Sequence, residues 1–317
     1  MNLDPEIAAL LPALNGGFPR VETMSAPQLR AVIRERAQRL QDPEPVAQVI
    51  DRTVPGPAGD INVRIYWPTG SSGPSGPSGS SPVIVFAHGG GFVFCDLDSH
   101  DDLCRAMSNG VGAIVVSVDY RLAPEWRWPA AVDDVYAVAD WAARQAEELG
   151  ADPARMILAG DSAGGNLATV TALLARDRGG PEIAGQLLVY PAIAADFGTE
   201  SYRRFGDGYY NTTAAMAWYW DQYVPDPADR DHPTASPLRA DLAGLPPAVV
   251  ITAGFDPLCS EGEKYAKTLA EASVTTTYRK YVSAIHGFMT MPSLSICRQA
   301  RERAWADVSA LLSRSLE

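Results

Sequence analysis

The sequence predicts an α/β fold: a mostly parallel β-sheet with helices on both faces and a helical cap. Three observations carry that expectation. Short apolar runs alternate with helical patterns from Val83 onward. Two runs before them alternate with a period of two, as a hairpin does. The rhythm then breaks between Ala194 and Pro237, where Phe197, Tyr202, Phe205, Tyr209, Tyr210, Trp218, Tyr219, Trp220 and Tyr223 accumulate, as in an inserted cap.

Composition supports a large core. The chain has 317 residues, 46% of them hydrophobic and 20% charged, which argues against disorder. Its net charge of −12 excludes a nucleic-acid binder that works by neutralising phosphates. Apolar runs such as Val111 to Val118 and Leu187 to Ala195 are too short to span a bilayer, so no membrane span is expected. Met1 to Glu6 carry Asp4 and Glu6 without lysine or arginine and no cleavage pattern follows, which leads to the expectation of a cytoplasmic protein. Cys95, Cys104, Cys259 and Cys297 are spaced for neither a metal nor a redox pair and read as free thiols.

The elements follow in order. The stretch to about Leu40 reads as helical, with Ser25 and Gln28 as a capping box before Leu29, Val32, Ile33, Ala37 and Leu40; arginines 30, 34, 36 and 39 fit a solvated face. Val46 to Trp67 reads as an antiparallel hairpin around Pro55 to Asp60, and Gly70 to Ser81 as a flexible loop joining neighbouring strands. Strands are then expected at Val83–Ala87, Ala113–Val118, Met156–Gly160, Gln186–Tyr190, Ala248–Ala253 and Thr275–Val282. Helices are expected at Ala130–Leu149, Ala163–Arg176, Glu261–Ala272 and Ser295–Leu312. This divides the chain into N-terminal cap helices (1–45), a first core part (46–194), a cap insertion (195–236) and a second core part (237–317).

Chemistry concentrates at strand ends. Gly160-Asp161-Ser162-Ala163-Gly164-Gly165 follows one strand and opens a helix, the setting of a nucleophile elbow. Small residues at 160 and 164 are needed there because side chains would collide in the tight turn. Alone, the pattern also fits a glycine-rich turn or a phosphate cradle. A second strand runs into His88-Gly89-Gly90-Gly91-Phe92, whose backbone N–H groups, with that of Ala163, could converge on a developing oxyanion.

A serine nucleophile needs a base, and the chain has four histidines. His88 lies in the glycine loop, His100 near the start of the following helix and His232 in the cap, which leaves His286 at the end of the late strand. Asp256, after the preceding strand, completes the chain order serine, acid, histidine; Asp161, Asp119 and Asp133 are its rivals.

In their order along the chain, His88-Gly89-Gly90-Gly91, Tyr120-Arg121-Leu122-Ala123-Pro124-Glu125, Gly160-Asp161-Ser162-Ala163-Gly164-Gly165, Asp256-Pro257-Leu258 and His286-Gly287-Phe288 resemble the motifs of the hormone-sensitive-lipase-like carboxylesterases of the α/β-hydrolase fold. The resemblance spans residues 45–317. It implies an eight-stranded, mostly parallel sheet, a cap of N-terminal helices plus an insertion, and hydrolysis of short- to medium-chain acyl esters. It further implies that Gly90, Gly91 and Ala163 serve the oxyanion while His88 holds the loop, and that dimers are common. Relatives often carry a further aspartate after Asp-Pro-Leu; here Cys259-Ser260-Glu261 stands instead, so a supporting carboxylate is absent or replaced by Glu261. Trp126, Arg127 and Trp128 are bulkier than usual.

The function expected is that of a serine carboxylesterase with catalytic Ser162, Asp256 and His286, acting on a small ester with no metal or organic cofactor. Amide, lactone or thioester hydrolysis would use the same groups, and a ligand receptor on this fold is the alternative from another class. Phe92, Phe94, Phe288, Met289 and the cap aromatics either line the pocket or fill the core.

Overall fold

A computed structural model describes residues 2–36, 42–71, 73 and 81–314. Helix α1 (Pro5–Gly17) is capped by Asp4, whose carboxylate accepts from the Glu6 and Ile7 N–H groups. Before α2 (Ala26–Arg36), Gln28 Oε1 accepts from the Ser25 N–H and hydroxyl, so only the returning half of the expected capping box forms. Ala37, Arg39 and Leu40, expected in this helix, lie outside the described residues.

Strands β1 (Gln48–Gly56) and β2 (Gly59–Trp67) pair antiparallel with Ile50 opposite Ile65 and Val54 opposite Ile61, as their alternation requires. Most of the glycine, serine and proline segment, residues 72 and 74–80, lies outside the described residues. Its ends correct one expectation. The strands it connects, β2 and β3 (Ser81–Ala87), are not neighbours, because the strand that follows α3 (Asp101–Val111), β4 (Ile114–Val118), lies between them. Every residue of β4 is buried, and a place with a partner on each edge is what satisfies its N–H and C=O groups.

The expected helix over 130–149 is two, α4 (Ala130–Arg144) and α5 (Ala146–Leu149), divided where Gln145 leaves helical geometry and Ala146 and Leu149 tuck into the core. There follow β5 (Ala151–Asp161), α6 (Ala163–Arg178), β6 (Gly185–Val189), α7 (Glu200–Phe205), α8 (Thr213–Tyr223), β7 (Ala248–Phe255), α9 (Cys259–Glu271), β8 (Thr276–Ile285) and α10 (Ser295–Arg314). Helices α7 and α8 occupy the aromatic-rich stretch between β6 and β7, each started by a threonine, Thr199 or Thr212.

The eight strands form one sheet in the order β1-β2-β4-β3-β5-β6-β7-β8, antiparallel only where β2 meets β1 and β4. Along β3, Val83, Val85 and Ala87 enter one core while Ile84 and Phe86 enter the other, which explains its unbroken apolar run. Residues of α4, α6 and α9 fill the first core and those of α3 and α10 the second. Because β3, β5, β7 and β8 run parallel, their carboxyl ends open on one rim, where the loops after them meet.

Candidate active site

Ser162 is held by the turn between β5 and α6. Its φ of 55° and ψ of −117° are a conformation that L-residues avoid, and it is held by the Ser162 N–H donating to Val189 O and the Ala192 N–H donating to Ser162 O. Glycine at 164 is obligatory: a Cβ there would stand 1.9 Å from Ala87 O. That approach brings the first turn of α6 against the loop that leaves β3.

His286 directly follows β8, and its Nε2 lies 3.0 Å from Ser162 Oγ. On the other side its Nδ1 lies 2.8 Å from Asp256 Oδ2. With Asp256 fully buried and acceptor-only, Nδ1 donates to it, which leaves Nε2 to accept from the serine hydroxyl. Asp256 Oδ1 in turn accepts from the Leu258 N–H, which fixes the carboxylate plane. The Tyr190 ring, 4.7 Å from that of His286, packs against the imidazole.

The rival acids go elsewhere. Asp119 accepts from Asn62, and Asp161 accepts from the Gly89 N–H while facing His100 Nε2 at 3.1 Å. Asp133 has no hydrogen bond to any of the four histidines among the described residues. His232 is exposed, beside Thr234 and Trp128 and away from Ser162. Of the two alternatives left open after Asp-Pro-Leu, the replacement by Glu261 is the one the geometry does not favour: Glu261 makes no hydrogen bond to Asp256 or His286, because its Oε1 is taken by the Ile193 and Ala194 N–H groups.

In the loop after β3, Gly90 and Gly91 have φ of 109° and 58°, and Gly90 O accepts from the Val93 and Phe94 N–H groups in a tight turn. His88 is wholly buried, stacks on Tyr120 at 4.3 Å and donates from Nδ1 to Gly89 O, while the Tyr120 hydroxyl donates to His88 O. Burial above all, with the nearby His100, pushes the His88 imidazole down to about 4, so it serves as a neutral brace. Gly89, Gly160, Asp161 and Gly164 all lie in the contacts between this loop and the elbow.

A cavity of about 120 Å³ opens onto Ser162 and His286, with Gly90 and Gly91 in its wall. Among the side chains in question, Phe94, Tyr210 and Tyr219 line it; Phe92, Tyr223, Trp220, Phe288 and Met289 are buried core. Sequence reasoning missed Phe18, Asn211, Met216 and Thr290 in this wall, since nothing local to them marks a pocket. It also missed that His100 and Tyr120 brace the loop; for Tyr120 a signal existed, its place in the Tyr-Arg-Leu-Ala-Pro-Glu run. The four cysteines are free, and among the described residues no cluster of three or more His, Cys, Asp or Glu is arranged to hold a metal.

The sequence matches the profile of a family described as α/β hydrolase fold over residues 84–290. It is 43% identical to the carboxylic ester hydrolase LipN of Mycobacterium tuberculosis over 83% of this chain and 70% of that protein. With the carboxylesterase NlhH of the same organism it shares 41% identity over 90% of this chain and 89% of the relative. Among solved structures, a hyperthermophilic esterase from Pyrobaculum calidifontis superposes with a TM-score of 0.90 at 39% identity, covering 98% of this chain and 99% of that one.

Proposed function

The chain belongs to the hormone-sensitive-lipase-like carboxylesterases of the α/β-hydrolase fold and is a serine hydrolase of carboxylic esters, and from that premise we propose that Ser162, His286 and Asp256 are its catalytic residues. His286 Nε2 takes the Ser162 proton as Oγ bonds to the ester carbonyl carbon. The carbonyl oxygen becomes an oxyanion that accepts from the N–H groups of Gly90, Gly91 and Ala163, each worth about 2.7–4 kcal/mol in the transition state. Asp256 steadies the imidazolium, which then gives its proton to the departing alcohol oxygen as the carbon–oxygen bond breaks. Water, deprotonated by His286, attacks the acyl-enzyme; the acid leaves and Ser162 regains its proton.

The observation that carries this reading is the pair of hydrogen bonds meeting on one imidazole, 3.0 Å to Ser162 and 2.8 Å to Asp256. Ser162→Ala is expected to lower kcat on p-nitrophenyl butanoate by about 10⁵-fold or more, and to abolish labelling by a fluorophosphonate. Parental turnover in that variant overturns the assignment.

The small cavity supports a preference for short to medium acyl chains, since about 120 Å³ is below the roughly 300–1,000 Å³ of sites for drug-sized ligands. We assign the roof of the site to the described residues of 1–45 and 195–236, and the core beneath to those of 46–194 and 237–317. Asn15 Nδ2 donates to Gly208 O, Asn15 Oδ1 accepts from the Tyr210 N–H, and Phe18 meets Tyr210 at 5.3 Å, which supports one joint cap. The edge strand β8, with Val282 half-exposed, is the surface through which we propose that two copies pair. Four unpaired thiols favour a reducing, cytoplasmic setting, and no helix among the described residues is long and apolar enough to cross a membrane.

A further inference from the structure

Asn211 stands in the cap wall of the pocket, in the turn between Tyr210 and the start of α8. It is 9% exposed, and its Nδ2 is buried with no hydrogen-bond partner among the described residues. Its backbone N–H donates to Tyr209 O, so the turn is held without help from the side chain. The pocket it shares has an apolar part, Phe18, Phe94, Ala215 and Met216, and nothing in that part calls for a carboxamide. A buried amide Nδ2 left unpaired costs stability, a cost that a hydrogen-bonding group bound in the pocket would offset.

We propose that Asn211 is a specificity-determining residue that recognises a hydroxyl on the substrate, so that the esters taken in preference carry an aliphatic hydroxyl beside the scissile bond. The inference deepens the catalytic reading above and rests on it. A hydroxyl suits the site because it accepts from Nδ2 or donates to Oδ1, so either orientation of the carboxamide serves. A carboxylate does not, since among the described residues no lysine or arginine lines the pocket to compensate its desolvation. Recognition of this kind discriminates well, because the apolar analogue leaves the amide unpaired.

The hydroxyl can belong to the acyl or the alcohol part, and two isosteric pairs separate these. The acyl arm compares p-nitrophenyl 3-hydroxybutanoate with 3-methylbutanoate; the alcohol arm compares 2-hydroxyethyl butanoate with propyl butanoate. In at least one arm the kcat/KM ratio of hydroxylated to apolar ester is expected to fall by about tenfold or more on Asn211→Leu. Asn211→Ala provides the same ratio should leucine impair folding. A ratio unchanged within about twofold in both arms, in variants that still hydrolyse the apolar esters, overturns the role of Asn211 and leaves the catalytic reading intact. A parent enzyme that turns over none of the four overturns both.

Discussion

His100 Nε2 stands 3.1 Å from Asp161 Oδ1, and both side chains are almost wholly buried behind the glycine loop. The same oxygen accepts the Gly89 N–H at 2.8 Å, so one carboxylate ties the loop after β3 to the residue preceding Ser162. Burial opposes the charge on Asp161, yet the His100 ring and the Gly89 N–H outweigh it and hold the carboxyl below the usual aspartate range. We propose on that basis that Asp161 is a positioning residue: by holding Gly89 against the elbow it sets the course of the loop through Gly90 and Gly91.

Asp161→Asn keeps an acceptor for Gly89 but removes the charge. The difference between a charge-assisted and a neutral hydrogen bond, about 1.4 kcal/mol, sets the expected fall in kcat near tenfold, with KM held within about twofold. Because the folded pKa is depressed, the stability that the charge contributes is present above the ordinary aspartate pKa and lost as pH falls through the folded value. The melting-temperature gap between parent and variant should thus be widest near neutrality and close below pH ~4. Parental kcat in the variant would show that this carboxylate does not position the loop.

What could be read in the sequence was local. The elbow and the glycine loop declare themselves because strand, turn and helix are contiguous there, and Asp256 and His286 because each follows a strand of a parallel sheet. Which carboxylate faces which imidazole is settled across 30 residues and across the register of β7 on β8, with Phe255 opposite Ile285. Glu261 shows the limit: near Asp256 in sequence, it is turned by α9 toward the Ile193 and Ala194 N–H groups. The place of β4 between β2 and β3 was equally hidden, since strand order follows from pairing over long separations.

Met216 lines the pocket from α8 and is 3% exposed. Met216→Ala deepens the cavity, and the optimum across p-nitrophenyl acetate to decanoate is expected to move about two carbons longer as apolar chain fills the new space. Truncating a buried methionine also costs about 2–5 kcal/mol of stability, visible as a lower melting temperature. A lower melting temperature with an unmoved chain-length profile would place Met216 in the core alone.

Glu261 is 1% exposed, and its Oε2 has no hydrogen-bond partner among the described residues. Burial raises its pKa well above the usual glutamate range, against the opposing pull of the Ile193 and Ala194 N–H groups, and the nearby Asp256 charge adds to the rise. The folded pKa exceeds the unfolded one, so the stability linked to this group is full below the unfolded glutamate pKa and is lost as pH rises through the folded value. In Glu261→Gln the amide oxygen can still accept both N–H groups, yet nothing titrates. The variant's melting temperature relative to the parent should therefore increase from pH ~4 to 8, by about 2 °C or more. Ester hydrolysis should persist, since no hydrogen bond joins Glu261 to Ser162, His286 or Asp256. A difference that stays constant over that range would mean that Glu261 remains ionised when buried, held by its two backbone donors.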